Sequence, residues 1–382
     1  MTTHFTQVRQ HTISICKPLK TEDYVVQVAE FASPAKWHLA HTTWFFETFV
    51  LLPHCKDYKL YNTDFPFLFN SYYNDAGDRV VRANRGNMTR PTVDEVYAYR
   101  HYVDQAMAKF LNSGIISSEV EQLIHLGLNH EQQHQELMLT DIKYMFGQNP
   151  LFPAYDPETT LLNNETNSES GFVKIDEGVY EIGFKGEGFY YDNELGVHKV
   201  YLQNFEISKA LVTNKEYIEF IEAGGYSDFN LWLDEGWSWL QNKGIKAPLY
   251  WHKIDGEWQH YTLKGLQKVN ANHILKHISY YEAMAFAEWK GMRLPTEFEW
   301  EIAYEKLKWG QRWEWTNSAY LAYPNYAKAE GAIGEYNGKF MVNQMVLRGA
   351  SVATAPKHSR ATYRNFFHAQ EQWQYTGIRL VK

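Results

Sequence analysis

Residues 149–170 divide the sequence into two halves that differ in composition and in predicted secondary structure. This segment, NPLFPAYDPETTLLNNETNSES, carries three prolines and a polar end, which is typical of a linker. Long helical patterns precede it, whereas short strand-like runs with many Gly and Trp follow it. A chain of 382 residues is also too long for one ordinary core. The sequence therefore predicts an α+β protein with a helical domain over 1–150, a linker over 151–170 and a second domain over 171–382.

The first half has the pattern of a four-helix bundle. Two of the helical segments carry a Glu three residues after a Ser or Thr, which is the spacing of a capping box. A third has Pro34 at its expected first helical position, where the missing N–H costs nothing. The predicted helices lie near residues 20–32 and after three expected caps, Ser33, Thr92 and Ser118.

Residues 61–91, between two of these helices, are predicted not to be helical. A loop of this length inside a compact bundle is usually functional or disordered. The aromatic and arginine content of YNTDFPFLFNSYYNDAGDRVVRANRGNMTRP argues against disorder. The sequence therefore predicts that this loop contributes to a site.

Composition excludes several classes of function. The net charge is −8 and no basic run is present, so nucleic acid and anionic membranes are not expected partners. No window approaches 18 uninterrupted apolar residues, and the first residues do not read as a signal peptide. Cys16 and Cys55 are too few for a disulfide framework. We expect a cytoplasmic protein; its oligomeric state is not indicated.

Four histidines suggest a metal site in the bundle. His130 and His134 are four residues apart on a predicted helix, so their side chains project from one face. His38 and His41 lie three apart on another helix, and either is a candidate third ligand. Three imidazoles would suit Zn, Fe(II) or Cu, and spacing alone does not choose between them. The same residues are equally compatible with a mixture of surface and hydrogen-bonded core histidines.

The polar residues around the two helix histidines have different expected roles. Glu131 occupies the position of a zincin base, but no further metalloprotease pattern follows it. Gln132 and Gln135 are predicted to lie on a solvated face. Gln133 is predicted to face the metal, and Glu136 to orient a histidine nitrogen.

The motifs together resemble a known family. WHLAHTTWFFE, FNSYY, RPTVDEVYAYR and HEQQHQE resemble the DinB-like N-terminal domain of ergothioneine-biosynthetic sulfoxide synthases. VTNKEYIEFI, SYYEAMAFAEWKGMRLPTEFEWE, WEWTNSAY, GEYNGKFMVNQMVLRGAS and RATYRNFFHAQEQWQYTGIRL resemble the formylglycine-generating-enzyme or sulfatase-modifying-factor domain, which has a C-type-lectin-like fold. The resemblance covers nearly the whole chain in the right order.

The resemblance implies a non-haem Fe(II) enzyme that uses O2. Such enzymes join the sulfur of cysteine or γ-glutamylcysteine to the imidazole C2 of trimethylhistidine (hercynine) and leave a sulfoxide. It also implies a proton donor at Tyr72 or Tyr73, and a contact between Gln133 and the substrate imidazole. The implied iron ligands are His41, His130 and His134, with His38 outside the set.

The resemblance also implies substrate contacts, which we expect at the domain interface. Asn365 is the candidate for the trimethylhistidine carboxylate. Phe366 and Phe367 stand where the γ-glutamylcysteine-using branch has Trp-Asp, which favours free cysteine, and both are candidates to face the quaternary ammonium. The arginines of GDRVVRANRG are candidates for the cysteine carboxylate: Arg82 first, then Arg79 and Arg85.

Several alternatives remain open. Within the enzyme class, they are an ovothiol-type enzyme that couples cysteine to histidine at C5 and a relative that transfers selenium. Outside it, the chain would be a lectin-like binding protein with a metal-stabilised bundle. Formylglycine-generating activity is not expected, because it depends on paired cysteines late in the domain and both cysteines here lie in the first 55 residues.

Overall fold

The computed structural model describes residues 1–71, 77–114, 116–159, 166–328 and 337–382. These residues divide into two compact units. Described residues up to Pro157 belong to the first unit, and those from Glu158 onward belong to the second. Among the described residues, no helix combines the length and the hydrophobicity that a membrane span requires.

The first unit is helical. Its α-helices are α1 (Thr2–Cys16), α2 (Ala35–Phe45), α3 (Leu52–His54), α4 (Phe65–Phe69), α5 (Val93–Asn112) and α6 (Ser118–Gly147). A π-helical turn over Phe46–Leu51 continues α2, and 3₁₀ turns cover Thr21–Val25 and Arg82–Asn87. Helix α2 packs against α5 and α6, and α1 packs against α6.

The first helix of the unit is not where the sequence predicts it. The prediction of a helix near residues 20–32 is wrong, because the helical structure there is a short 3₁₀ turn over Thr21–Val25. Instead α1 covers Thr2–Cys16, and its buried residues recur three or four positions apart. They include Phe5, Val8, Thr12 and Ile15.

The helix caps follow the predicted chemistry with small shifts. Thr92 caps α5 in a complete capping box, in which its backbone N–H donates to Glu95 Oε2 over 2.6 Å. The predicted cap of α6 is one residue late: Ser117 is the cap and Ser118 is the first helical residue. The cap of α2 is Pro34 rather than Ser33.

The loop over 61–91 contains more helix than the sequence predicts. Helix α4 and the 3₁₀ turn at Arg82–Asn87 both lie within it. Lys36 on α2 holds the end of the loop, because its buried ammonium donates to the carbonyls of Met88 and Pro91, each over 2.7 Å. The loop is therefore anchored to the helix that carries His38 and His41.

The second unit combines short strands with short capped helices. Its strands are β1 (Phe172–Ile175), β2 (Gly178–Ile182), β3 (His198–Leu202), β4 (Phe205–Ser208), β5 (Trp251–Ile254), β6 (Glu257–Thr262), β7 (Gly265–Lys268), β8 (Trp313–Ala319), β9 (Met345–Gly349), β10 (Asn365–Phe367) and β11 (Thr376–Gly377). Its α-helices are α7 (Asn214–Glu222), α8 (Asp234–Lys243), α9 (Tyr280–Trp289) and α10 (Glu297–Ala303).

The described strands form four sheets. One has four strands in the order β10-β9-β8-β11, and all its pairs are antiparallel except β8 with β11. The other sheets are β1-β4, β2-β3 and β5-β6-β7.

Buried ion pairs fix the sheet of β8 to β11. Arg348 on β9 contacts Glu297 and Glu301 of α10 at 3.2 and 2.6 Å, and all three side chains are buried. Arg364, next to β10, also pairs with Glu297, at 2.8 Å. Because unpaired buried charges are costly, these pairs hold β10 in one position against the helix.

Candidate metal centre

Three histidines from two helices meet inside the first unit. His41 comes from α2, and His130 and His134 come from adjacent turns of α6. One ring nitrogen of each lies within 4.8 Å of those of the other two, the arrangement needed to hold one ion. His41 and His130 are buried, and His134 is 9% exposed. The packing of α2 on α6 therefore brings together the three residues that the resemblance implies as ligands.

Hydrogen bonds decide which nitrogen of His41 faces the cluster. Its Nδ1 lies 2.6 Å from the carbonyl oxygen of Phe69, which only accepts, so Nδ1–H is the donor. The lone pair of the neutral ring is then on Nε2, which points at Nε2 of His130 over 3.2 Å. A nitrogen lone pair directed into a shared space is what a metal ion binds.

Burial keeps the imidazoles neutral. It lowers the pKa of His130 to about 3. It also lowers the pKa values of His41 and His134 well below the usual range, and the neighbouring histidines add to both shifts. Neutral imidazole is the form that coordinates metals, so the protonation state fits a metal centre.

A stack of flat side chains fixes the ring of His41. Trp37 lies parallel to it, with centroids 4.4 Å apart and an interplanar angle of 15°. Trp44 is also stacked on His41, with centroids 5.5 Å apart and an interplanar angle of 16°. The guanidinium of Arg85 lies 3.4 Å from the ring centroid of Trp37 and completes the stack. His41 is therefore held in orientation by packing as well as by Phe69.

The three arginines of the loop have different environments. Arg79 and Arg82 are exposed and donate to backbone carbonyls, those of Ser71 and Phe31 respectively. Arg85 is only 5% exposed and donates to Ser33 Oγ over 2.9 Å and to Ser71 Oγ over 3.1 Å. The positive charge of Arg85 contributes to the lowered pKa values of His41 and His134.

Glu131 is a structural carboxylate rather than a base facing the metal. It is fully buried, and it accepts hydrogen bonds from Arg9 at 2.9 Å and from Thr12 and Arg100, both at 2.5 Å. Burial alone raises the pKa of Glu131, but Arg100 and Arg9 outweigh it and lower the pKa to about 2. The carboxylate is therefore ionised and engaged on the side of α6 that packs on α1.

The same packing overturns the expected solvated face of α6. Gln135 is 2% exposed and donates to Val8 O over 2.8 Å and to Thr12 Oγ1 over 3.0 Å. Gln132 is also buried, at 8% exposed. The prediction is wrong for both residues, and Gln135 lies against α1, a helix that was not predicted. Gln133 and Glu136 are half-buried, and their predicted roles stay predictions.

The predicted roles of two other groups of residues stay predictions. Tyr72 and Tyr73, the predicted proton donors, lie outside the described residues. Asn365, Phe366 and Phe367 form β10 of the second unit and are half-buried. The Asn365 side chain accepts the backbone N–H of Phe366, whose ring stacks on Tyr320 at 4.1 Å.

Two neighbours of the cluster have no role in the sequence-based assignment, which placed His38 outside the ligand set and did not consider Asp141. His38 lies beside His134, and Asp141 lies beside His38. The signal for Asp141 was its position seven residues after His134, which places both on one face of α6. Spacing could not reveal its partner, because His38 lies 103 positions earlier in the chain.

Known proteins resemble both units. Residues 4–138 match the DinB superfamily, and residues 158–308 match the sulfatase-modifying factor enzyme 1-like domain. The chain is 27% identical to a hercynine oxygenase of Mycolicibacterium smegmatis over 308 residues, 67% of this chain and 70% of that protein. Hercynine oxygenase of Mycobacterium tuberculosis is 28% identical over 304 residues, 66% of this chain and 70% of that protein. A formylglycine-generating enzyme of Streptomyces coelicolor is 30% identical over 166 residues, 39% of this chain and 51% of that protein.

These matches define a class of two-domain proteins, in which a DinB-type helical domain with a three-histidine cluster precedes a sulfatase-modifying factor domain. The predicted α+β fold class is confirmed. The resemblance to EgtB-type proteins that the motifs predicted is confirmed, because the chain combines both domains and is similar to three hercynine oxygenases.

Proposed function

We propose that the protein is an Fe(II)- and O2-dependent sulfoxide synthase that joins the sulfur of cysteine to C2 of trimethylhistidine. The observation that carries this proposal is the buried cluster of His41, His130 and His134 in a chain similar to hercynine oxygenases. The donor set itself suits Zn, Fe(II) or Cu, and the names of the relatives favour a metal that reacts with O2.

The residues of the cluster fit such a metal. When bound, iron would supply O2 activation and a meeting point for thiolate and imidazole, since three protein ligands leave further positions open. The chain contributes neutral imidazoles whose orientation is fixed before the metal arrives. It also surrounds them with Trp37, Trp44 and Phe45, which exclude water.

An arginine of the loop is proposed to bind the cysteine carboxylate. Arg82 and Arg79 are the predicted residues, and both are exposed in the structure. Arg85 is the better candidate to bind this carboxylate. Its guanidinium is buried and is fixed by two hydroxyls and an indole ring, so it needs little reorganisation to bind an anion.

Tyr72 and Tyr73 are proposed to supply the proton that the reduction of O2 requires. The phenylalanine variants of each, tested singly, separate the two. Loss of sulfoxide with a gain of cysteine sulfinate would identify the donor. Wild-type sulfoxide yield in both variants would show that neither tyrosine has this role.

Substrate contacts from the second unit stay predictions. Asn365 is proposed for the trimethylhistidine carboxylate, and Phe366 and Phe367 for its quaternary ammonium. One face of Phe366 is already covered by Tyr320, which makes Phe367 the stronger of the two for a cation–π contact.

The decisive experiment is anaerobic reconstitution with Fe(II), followed by trimethylhistidine, cysteine and O2, with mass spectrometry of the products. A sulfoxide carrying cysteine at C2 supports the proposal. Parallel reactions with γ-glutamylcysteine, a selenium donor and unmethylated histidine distinguish the related enzymes. Failure to form any C–S or C–Se adduct, in protein that holds stoichiometric iron, would remove the enzymatic proposal and favour a binding protein.

A further inference from the structure

His38 connects the metal cluster to a buried carboxylate. It lies on α2, one turn before His41, and is 2% exposed. Its Nδ1 is 2.8 Å from Nδ1 of His134, and its Nε2 is 3.1 Å from Oδ2 of Asp141. The same oxygen of Asp141 accepts the backbone N–H of Ser33 over 2.8 Å. A continuous chain of hydrogen bonds therefore runs from Asp141 through His38 to His134.

The order of donors along this chain follows from the first member. Oδ2 of Asp141 accepts the N–H of Ser33, so it is an acceptor for His38 as well, and Nε2–H of His38 donates. A neutral imidazole that donates from one nitrogen accepts at the other, so Nδ1 of His38 is an acceptor. Nδ1–H of His134 must then be the donor, which leaves the lone pair of His134 on Nε2.

We propose that His38 and Asp141 are positioning residues that hold His134 in the tautomer presenting Nε2 to the metal. The inference rests on the proposed metal centre. Metal-binding histidines usually donate their other N–H to a fixed acceptor, which sets both the tautomer and the direction of the ring. Here the acceptor is a second histidine, itself fixed by a carboxylate.

A second ligand shows the same arrangement independently. Nδ1–H of His41 donates to the carbonyl oxygen of Phe69 over 2.6 Å, which also leaves its lone pair on Nε2. Two ligands from different helices thus carry a fixed acceptor behind the ring. The difference is that a backbone carbonyl cannot be removed by substitution, whereas His38 can.

Two variants of nearly equal shape test the inference. His38→Asn keeps an acceptor oxygen close to the position of Nδ1, whereas His38→Leu has the same outline and no acceptor. The probe is Co(II), titrated anaerobically into the full-length protein and followed by its visible absorption, with Fe(II) binding measured in parallel. We expect His38→Leu to weaken Co(II) binding by about 10- to 100-fold, and His38→Asn by no more than about threefold. His125→Leu, on an exposed part of α6, should bind Co(II) like the wild type.

The outcomes separate this inference from the proposed function. If wild-type protein binds neither Co(II) nor Fe(II), the metal centre itself is wrong. If the wild type binds Co(II) and His38→Leu binds it equally well, the centre stands and the positioning role is overturned. Equal losses in the Asn and Leu variants would also overturn it, because an acceptor would then make no difference.

A measurement on the wild-type protein guards against a variant that does not fold. Long-range ¹⁵N–¹H NMR of histidine-labelled protein distinguishes the protonated nitrogen of each ring. With Zn(II) bound, we expect His134 to carry its proton on Nδ1 and His38 on Nε2. A proton on Nδ1 of His38, donated towards His134, would overturn the inference.

Discussion

The indole of Trp37 lies flat on the imidazole of His41, with ring centroids 4.4 Å apart and planes inclined by 15°. Trp37 in turn carries the guanidinium of Arg85, so one side chain joins a candidate metal ligand to a buried cation. The loop that holds Arg85 and the helix that holds His41 are therefore in contact through this ring, in addition to the hydrogen bonds of Lys36 and His41 to the loop. Substitutions of Trp37 test its effect on metal binding, and substitutions of Arg85 test substrate binding.

Replacing Trp37 tests how far packing orients His41. Trp37→Leu opens space beside the imidazole, and we expect a loss of about 2–3 kcal/mol in stability together with weaker metal binding. Trp37→Phe keeps an aromatic face and should retain most of the metal affinity. Thermal unfolding of the metal-free protein and Co(II) titration measure the two effects. Unchanged Co(II) affinity in a folded Leu variant would show that the stack does not orient the ligand.

Arg85→Lys tests which loop cation receives the cysteine carboxylate. A lysine keeps the charge but loses the planar fork, so we expect KM for cysteine to rise by about 10- to 100-fold, the equivalent of one charge-assisted hydrogen bond. Iron content should stay at the wild-type value.

Arg82→Lys and Arg79→Lys serve as matched comparisons in the same loop. Both guanidinium groups are exposed, and we expect KM for cysteine to change by less than about threefold, since solvent screens exposed charges. A larger rise in Arg82→Lys than in Arg85→Lys would return the assignment to Arg82, the residue that the sequence favoured.

The sequence predicts well those parts of the site that depend on local spacing. His130 and His134 share a face because a helix repeats every 3.6 residues, and the capping box of Thr92 and Glu95 follows from their separation. The resemblance to a family supplied His41. The pairing of Arg9 with Glu131 spans 122 positions, so no local pattern contains it. Because α1 was not predicted, the face of α6 that packs on α1 was predicted to be solvated.

Glu131→Gln distinguishes a structural carboxylate from a catalytic base. The change leaves Arg100 buried without its counter-charge and leaves Arg9 with Asp104 as its remaining carboxylate partner, and we expect a loss of about 3–5 kcal/mol in the free energy of unfolding. Turnover by the folded variant should keep the pH dependence of the wild type. Loss of one limb of the pH–rate profile, with stability unchanged, would contradict the structural role.

His358 in the second unit should make the protein less stable in mild acid. The side chain is 2% exposed, and burial, reinforced by the charge of Arg360, lowers its pKa from 6.5 to about 3. Below pH 6.5 the unfolded chain binds a proton that the folded chain does not bind until about pH 3, so stability falls as the pH falls through this window. At about pH 5 the difference corresponds to roughly 2 kcal/mol.

A variant without this imidazole should lose that part of the pH dependence. We expect the decrease in unfolding free energy between pH 7.5 and pH 5 to be about 2 kcal/mol smaller in His358→Gln than in the wild type. Urea unfolding at the two pH values measures it, and the comparison cancels the contributions of the other buried histidines. His368→Gln, at an exposed position, is the control and should keep the wild-type pH dependence. If His358→Gln loses as much stability in acid as the wild type, the imidazole of His358 is protonated in the folded protein, and its surroundings stabilise the cation.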